Sequence, residues 1–261
     1  MSKTTIAWPT LQAKPYFETE TVRLYHGDAL RLLTGAAGAV ANAIVTDPPY
    51  CSGAATANGK AADTRTKYKQ TNAGRLFECF DGDTRDARSY ALWCSLWIAE
   101  AARLCIRNES YALAFSDWRM VGTLTDAMQS AGLIYRGLVA WDKGRGSRSP
   151  HKGYFRSQCE FLPWGTIGKA PKLTDRGPFD GCFRFPVRQA DKFHQTGKPT
   201  PLMQELVKCA PAGGLVLDPF AGSGTTGVAA ILEGRRALLI ESKEAIAEIA
   251  ADRIRKGNAD R

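Results

Sequence analysis

The strongest indication of the fold is Leu217-Asp218-Pro219-Phe220-Ala221-Gly222-Ser223-Gly224-Thr225. This stretch follows a short apolar run that predicts a β-strand and precedes a run that predicts a helix. Glycines at such a turn let the backbone approach a ligand closely, and open α/β sheets bind ligands at the carboxyl ends of their parallel strands. The stretch therefore predicts a cofactor-binding turn, although an ordinary glycine turn has the same GxG spacing.

A carboxylate on the next predicted strand supports the cofactor interpretation. Glu241 follows Leu238-Leu239-Ile240, at about the distance downstream where a ribose-binding acid belongs in nucleotide-binding βαβ units. Gly222, Gly224 and Gly227 also match the spacing GxGxxG, which keeps a nicotinamide oxidoreductase open. The glycine turn and the acid together predict a site for a nucleotide-like cofactor.

A second motif, Thr46-Asp47-Pro48-Pro49-Tyr50, comes directly after a buried-looking strand. Successive prolines fix φ, and a residue before proline is restricted to extended conformations. Asp47 is therefore expected to be a rigidly held hydrogen-bond acceptor at a strand end. The alternative is a Pro-Pro turn that ends a strand and leaves a surface aspartate. A nicotinamide enzyme has no use for this motif.

Apolar runs and their punctuation predict seven strands that alternate with helices, which is typical of a mainly parallel, doubly wound α/β sheet. No repeat or linker divides the chain, so we predict one domain over residues 1–261 with a long polar loop at 52–85. The helix around Trp93 and Trp97 is apolar on more than one face, which suits either the core or an interface. The predicted strands are Thr21–His26, Ala43–Thr46, Tyr111–Phe115, Leu133–Trp141, Cys159–Trp164, Leu215–Leu217 and Ala237–Ile240.

Composition narrows the functional class. The formal net charge of +9 over 261 residues favours a polyanionic partner such as nucleic acid. Seven scattered cysteines without a CxxC pair and three distant histidines predict neither a disulfide framework nor a metal site. The sequence contains no apolar run of the roughly 20 residues that a membrane helix needs, and no signal-like N-terminus, so we expect a cytoplasmic protein.

Together, these motifs resemble the β-group of amino-group DNA methyltransferases, in which a DPPY motif precedes a DPFxGSG motif. The resemblance covers nearly the whole chain. Further matching segments are Tyr25-His26-Gly27-Asp28, Trp141-Asp142-Lys143, 159–165 and His194-Gln195-Thr196-Gly197-Lys198-Pro199, of which the last departs from the family's usual His-Pro-Thr at Gln195. The family's fold is a circularly permuted, Rossmann-like seven-stranded sheet of order 3-2-1-4-5-7-6, with Asp47 and Asp218 ending adjacent strands.

The resemblance implies transfer of a methyl group from S-adenosylmethionine to adenine N6 in double-stranded DNA, after the base is flipped out. Asp47 with Pro48, Pro49 and Tyr50 would hold the amino group and stack on the base. Lys198 would hold the cofactor carboxylate or be a solvated lysine, and Asp28 would approach the adenine or cap a helix. The expected cofactor-binding set is Asp28, Asp47, Lys198, Asp218, Pro219, Phe220, Ala221, Gly222, Ser223, Gly224, Thr225, Glu241 and Ser242.

DNA contacts are expected from the loop 52–85, the basic segment 143–156 and the target-recognition segment 165–193. The short recognition segment suits a homodimer, in which a second subunit adds DNA-binding surface. Each basic residue taken singly is also compatible with a solvated surface charge. The predicted DNA-binding residues are Lys60, Arg65, Lys67, Lys69, Lys143, Arg145, Arg148, Lys152 and Arg156.

Other functions stay open at this stage. Asp47 at the first motif position resembles the adenine-specific members, whereas the cytosine-N4 enzymes more often have serine there. A DNA-binding relative without catalysis would belong to a different class, but Asp47, Tyr50 and Glu241 are all present. RNA or small molecules are further possible methyl acceptors.

Overall fold

The computed structural model describes residues 7–50, 85–144, 151–173, 175–186 and 197–259. These residues form one nine-stranded sheet with helices on both faces. Its strands are β1 Phe17–Glu18, β2 Val22–His26, β3 Ala43–Thr46, β4 Tyr111–Ala114, β5 Ile134–Asp142, β6 Cys159–Thr166, β7 Cys182–Arg184, β8 Leu215–Asp218 and β9 Arg236–Glu241.

The order of the strands across the sheet is β1-β2-β9-β8-β3-β4-β6-β5-β7. The five strands β2, β9, β8, β3 and β4 run parallel to one another, whereas β1 is antiparallel to β2 and β6 is antiparallel to both β4 and β5. The seven strands from β2 to β5 therefore have the order 3-2-1-4-5-7-6 that was expected, with the last-numbered strand antiparallel. The prediction of a permuted, doubly wound methyltransferase-like sheet is confirmed.

Six helices in the described part of the chain cover the sheet. On one face the packed helices are α1 (Ala29–Thr34), α2 (Ala87–Arg103) and α3 (Val121–Ser130). The other face is covered by α4 (Thr200–Val207), α5 (Thr225–Leu232) and α6 (Glu244–Ala259). Because α2 follows β3 on one face and α5 follows β8 on the other, a cleft opens at the carboxyl ends of these two neighbouring strands.

The central strands are buried on both faces, which explains why they read as continuous apolar runs in the sequence. In β3, Ile44 packs into the core beneath α2, while Ala43 and Val45 pack towards α4. The same alternation places Leu217 of β8 on the first face and Val216 on the second. A shift by one residue in either strand would exchange the two faces, so this packing fixes the register.

The structure also corrects the prediction from sequence. Two edge strands were missed, β1 and β7, and β7 lies within the segment 165–193 that was assigned to target recognition. The predicted loop 52–85 lies outside the described residues except for Arg85. Trp97 is only 1% exposed, so the core interpretation of its helix is confirmed for this residue. None of the helices in the described ranges is long and apolar enough to span a membrane.

Candidate active site

A cleft of about 510 Å³ lies at the carboxyl ends of the parallel strands. Drug-sized ligands and cofactors bind in cavities of this size. The cleft is lined by residues that end or follow β2, β3, β4, β8 and β9, among them Asp28, Asp47, Asp117, Asp218 and Glu241. The topology therefore gathers acidic side chains that are far apart in the sequence.

Asp218 links three elements around the cleft. Its Oδ1 accepts hydrogen bonds from Thr46 Oγ1 at 2.6 Å and from the backbone N–H of Phe220 at 3.0 Å, and its Oδ2 accepts one from Thr226 Oγ1. Burial raises the pKa of Asp218 to about 6, against the opposing effect of these donors. The carboxylate thus connects the end of β8 to β3 and to the first turn of α5.

The glycine turn after β8 adopts backbone conformations that favour glycine. Gly222 has φ of 52° and Gly224 has φ of 78°, both in the left-handed region. A Cβ on Gly224 would lie 3.0 Å from the Cβ of Ala250 on α6. The guanidinium of Arg253 on α6 donates hydrogen bonds to Ser223 and Thr225, so α6 also holds the turn in place. Arg253 was not identified from the sequence.

The close packing of Gly224 gives a stability prediction. We expect Gly224→Val to lower the free energy of unfolding by about 2–4 kcal/mol, because valine is strained at positive φ and its side chain meets Ala250. Urea unfolding measures the change. The control is Gly122→Ala on α3, where a Cβ meets nothing within 4 Å and alanine favours the helix. Equal unfolding free energies for Gly224→Val and the wild type would contradict the packing.

Glu241 lies at the end of β9, across the turn from Asp218. Its Oε2 accepts a hydrogen bond from the backbone N–H of Gly222 at 2.9 Å, and its Oε1 accepts one from Lys243 N–H at 2.8 Å. Burial raises its pKa despite these donors. Each carboxylate oxygen has more than one acceptor position, so Glu241 is oriented by the backbone and can still accept hydrogen bonds from a ligand.

An aromatic cluster forms one wall of the cleft. The ring of Phe220 lies 5.3 Å from the ring of Trp93 and 5.1 Å from that of Trp97. The guanidinium of Arg85 lies over Trp93, 4.4 Å from the ring centre. The two tryptophans of α2 therefore fix the phenylalanine of the cofactor motif, a contact that no sequence pattern indicated.

Asp47 follows β3 and forms an ion pair with a buried lysine. Lys198 Nζ donates to Asp47 Oδ2 at 2.6 Å. Among the described residues, no group donates a hydrogen bond to Asp47 Oδ1, which is shielded from water. Burial raises the pKa of Asp47 to about 6, because Lys198 only partly offsets the loss of water and the nearby carboxylate of Glu160 adds to the increase. A buried acceptor atom is thus left available beside the cleft.

The same lysine contacts a second carboxylate that sequence reasoning missed. Lys198 Nζ lies 3.4 Å from Glu160 Oε2, and Lys143 Nζ donates to Glu160 Oε1 at 3.0 Å. Burial disfavours the charged form of Lys198, but Asp47 and Glu160 outweigh this effect and raise the pKa of Lys198. Its side chain is only 6% exposed, so the interpretation as a solvated lysine is wrong. The one available sequence signal was a lone acid, Glu160, in an apolar strand.

The structure brings most of the predicted site residues together. Gly224 does not line the cleft, and Asp28 both lines it and caps α1 by accepting from Arg31 N–H at 2.8 Å. Of the predicted DNA-binding residues, Lys152 and Arg156 are exposed, whereas Lys143 pairs with Glu160. Lys60, Arg65, Lys67, Lys69, Arg145 and Arg148 lie outside the described residues. The predicted residues that line the cleft are Asp28, Asp47, Pro48, Pro49, Tyr50, Lys198, Asp218, Pro219, Phe220, Ala221, Gly222, Ser223, Thr225, Glu241 and Ser242.

Comparison with known protein families assigns the chain. The model of a family described as DNA methylase, covering N6 and N4 enzymes, matches residues 41–252, which include both motifs and Lys198. The chain belongs to the N6/N4 DNA methylase family. One relative of this DNA methylase is the type II methyltransferase M.ScaI of Streptomyces caespitosus, 26% identical over 92% of this chain and 84% of the relative.

Solved structures share the fold of this DNA methylase. The complex of M1.HpyAVI with SAM superposes with a TM-score of 0.64 at 22% identity, covering 89% of this chain and 98% of that one. The cytosine-N4-specific PvuII DNA methyltransferase superposes with a TM-score of 0.69 at 17% identity, covering 94% of this chain and 90% of that one. The fold is therefore that of a DNA methyltransferase.

Proposed function

We propose that this DNA methylase transfers a methyl group from S-adenosylmethionine to N6 of adenine in double-stranded DNA. The observation that carries the proposal is the carboxylate of Asp47 at the cleft, with one oxygen held by Lys198 and the other without a partner in the described part of the chain. An exocyclic amino group has N–H donors for such an acceptor. The DPPY and DPFxGSG motifs stand in the β-group order.

The residues of the cleft fit the cofactor. S-adenosylmethionine carries ribose hydroxyls, an adenine ring and a sulfonium methyl, and the methyl is what it supplies to the reaction. Glu241 is oriented by two backbone donors and would accept from the ribose hydroxyls. The turn 219–225 would contact the rest of the cofactor. Phe220 in this turn is held in place by the two tryptophans of α2. Asp28 would lie near the adenine.

The chain's own residues would act mainly by alignment. The lone pair of an exocyclic amino group is delocalised into the base ring, so the amine is a poor nucleophile. Asp47 Oδ1 and the Pro48 carbonyl would accept its two N–H groups and direct the lone pair at the methyl for an in-line displacement. Pro49 keeps the backbone of this segment rigid, and Tyr50 would stack on the base.

The target atom is inaccessible inside a duplex, so the base is expected to flip into the cleft. The predicted DNA-binding residues outside the described ranges, together with Lys152 and Arg156, would meet the phosphates. Methylation at a defined sequence alongside a restriction enzyme is part of the proposal, and the type II name of the relative M.ScaI supports it. A location in the cytoplasm is also part of the proposal.

A radiolabel experiment tests the proposal. The protein is incubated with S-adenosylmethionine labelled in the methyl group and unmethylated genomic DNA, and the nucleosides are then identified by mass spectrometry. Labelled N6-methyladenine is the expected product. Labelled N4-methylcytosine would keep the mechanism and change the base, which the shared fold with the cytosine-specific PvuII enzyme makes the relevant alternative. Cofactor binding without any labelled DNA would contradict the proposal that DNA is the substrate.

We also propose that the protein is a homodimer. Leu92 and Leu96 are 64% and 47% exposed and lie one turn apart on α2, so they form an apolar strip on its outer face. A dimer would bury this strip and double the DNA-binding surface. Light scattering at micromolar concentration is expected to give twice the monomer mass, and Leu92→Glu is expected to reduce it. A monomeric mass for the wild type would exclude the dimer.

A further inference from the structure

Two exposed aromatic side chains lie on the connection between β5 and β6. Tyr154 is 75% exposed and Phe155 is 98% exposed. The two strands are antiparallel, with Asp142 opposite Cys159, so the connection leaves the sheet and returns to it at one place. That place is the rim of the cleft, which is lined by residues from both ends of the connection, Lys143, Ser157, Cys159 and Glu160. The aromatic pair therefore lies within a few residues of the candidate active site.

A tight turn holds this pair in a defined arrangement. The backbone N–H of Tyr154 donates to the carbonyl of His151 at 3.2 Å, and Gly153 has φ of 88°. Positive φ at the third position is the requirement of a type II turn, and glycine meets it without strain. The rings of His151 and Tyr154 pack edge to face at 6.3 Å. The turn thus orders Tyr154 and leaves the next residue, Phe155, in solvent.

The charge of the segment favours DNA as the partner. Lys152 and Arg156 flank the two aromatic residues, and residues 151–158 contain no acid. Aromatic rings stack on bases of any sequence, and cations beside them meet the phosphates. In a DNA duplex the stacked bases form an apolar interior and the phosphates form an anionic exterior. A fully exposed phenylalanine between two cations is suited to such a partner.

We propose that Phe155, supported by Tyr154, enters the DNA base stack beside the target and fills the gap left when the target base turns into the cleft. Apolar side chains inserted between base steps are a known way of keeping a duplex unstacked. Phe155 would favour the flipped state by replacing the stacking that the departing base loses. This inference rests on the proposed function, because it requires a duplex DNA substrate.

The test compares two duplexes that carry the sequence found methylated in genomic DNA. One is fully paired, and the other has an abasic site opposite the target base, so that the target is already unpaired. Phe155→Ala is expected to lower the single-turnover rate of transfer about 10- to 100-fold on the paired duplex, which is the loss of one stacking contact. On the abasic duplex the variant is expected to stay within about threefold of the wild type. Phe155→Trp is expected to retain the rate on both.

Tyr135→Ala is the matched control, because Tyr135 is another exposed aromatic residue but lies at the far end of β5. It is expected to leave both rates unchanged. If Phe155→Ala lowers the rate equally on the two duplexes, or on neither, the proposed insertion of Phe155 into the base stack is wrong. A wild-type protein that methylates neither duplex would overturn the proposed function instead, so the two failures are distinguished by the wild-type measurement.

Discussion

Asp47→Ala is expected to reduce the single-turnover rate of methyl transfer about a thousandfold. The variant removes a carboxylate that lines the cleft and has one buried oxygen without a hydrogen-bond donor among the described residues. Loss of a single placed hydrogen-bonding group costs about 10²- to 10³-fold in comparable preorganised sites, and the substitution also loses the alignment of the amine. Transfer of labelled methyl to DNA at saturating cofactor measures the rate.

The affinity for S-adenosylmethionine distinguishes this effect from a general loss of structure. Asp47 belongs to the expected cofactor-binding set, but its proposed partner is the amino group of the base. Asp47→Ala is therefore expected to keep the dissociation constant of S-adenosylmethionine within about threefold of the wild type, because Glu241 and the turn 219–225 are untouched. Asp126→Ala, an exposed aspartate on α3, is the control and is expected to leave both the rate and the affinity unchanged. Near-normal turnover by Asp47→Ala would exclude the proposed mechanism.

The central strands and the cleft could be predicted from the sequence because their patterns are local. A strand buried on both faces is a short apolar run, and in both central strands an acid comes next: Asp47 follows β3, and Asp218 is the last residue of β8. The edge strands lack this pattern: β1 consists of Phe17 and Glu18 only, and β7 of three residues with one buried side chain. Their pairing depends on the neighbouring strand, so a short window of sequence does not contain the information.

The electrostatics of the site could not be predicted for a similar reason. Lys198 is 151 residues from Asp47 in the chain, and only the fold brings them to 2.6 Å. Glu160 lies on β6 among apolar residues and was interpreted as part of a strand. Interactions between charges fall with distance in space, so spacing along the sequence carries no information about this cluster.

The cluster of Asp47, Lys198 and Glu160 suggests a role for Lys198 that differs from holding the cofactor. Removal of water raises the pKa of Asp47, and the lysine cation opposes that increase. Only the ionised carboxylate is a full acceptor for the amino group. Because the pKa of Asp47 is about 6, the rate of transfer is expected to fall as the pH drops below about 6. This fall in the rate at low pH is the acid limb of the pH profile, and Lys198 would keep it below neutral pH.

Lys198→Met is therefore expected to move the acid limb of the transfer rate upwards by about one to two pH units, since an opposite charge at this distance lowers a carboxyl pKa by about 1–3 units. The pKa shift is upward because the cation is lost. Asp47 and Glu160 are then two neighbouring buried carboxylates, and one of them binds a proton more tightly. At pH 7 the rate would be about two- to tenfold lower, and it would recover at higher pH. The pH profile of single-turnover transfer at saturating cofactor measures the shift.

Two variants make this result specific to the cluster. Lys208→Met removes a partly exposed lysine that pairs with Glu205 at 2.8 Å, and it is expected to leave the profile unchanged. Adding Glu160→Gln to Lys198→Met removes the second carboxylate and is expected to move the limb part of the way back. If Lys198 instead holds the carboxylate of the cofactor, Lys198→Met would raise the dissociation constant of S-adenosylmethionine and leave the limb at about pH 6. The two roles therefore predict changes in different quantities, and one set of proteins decides between them.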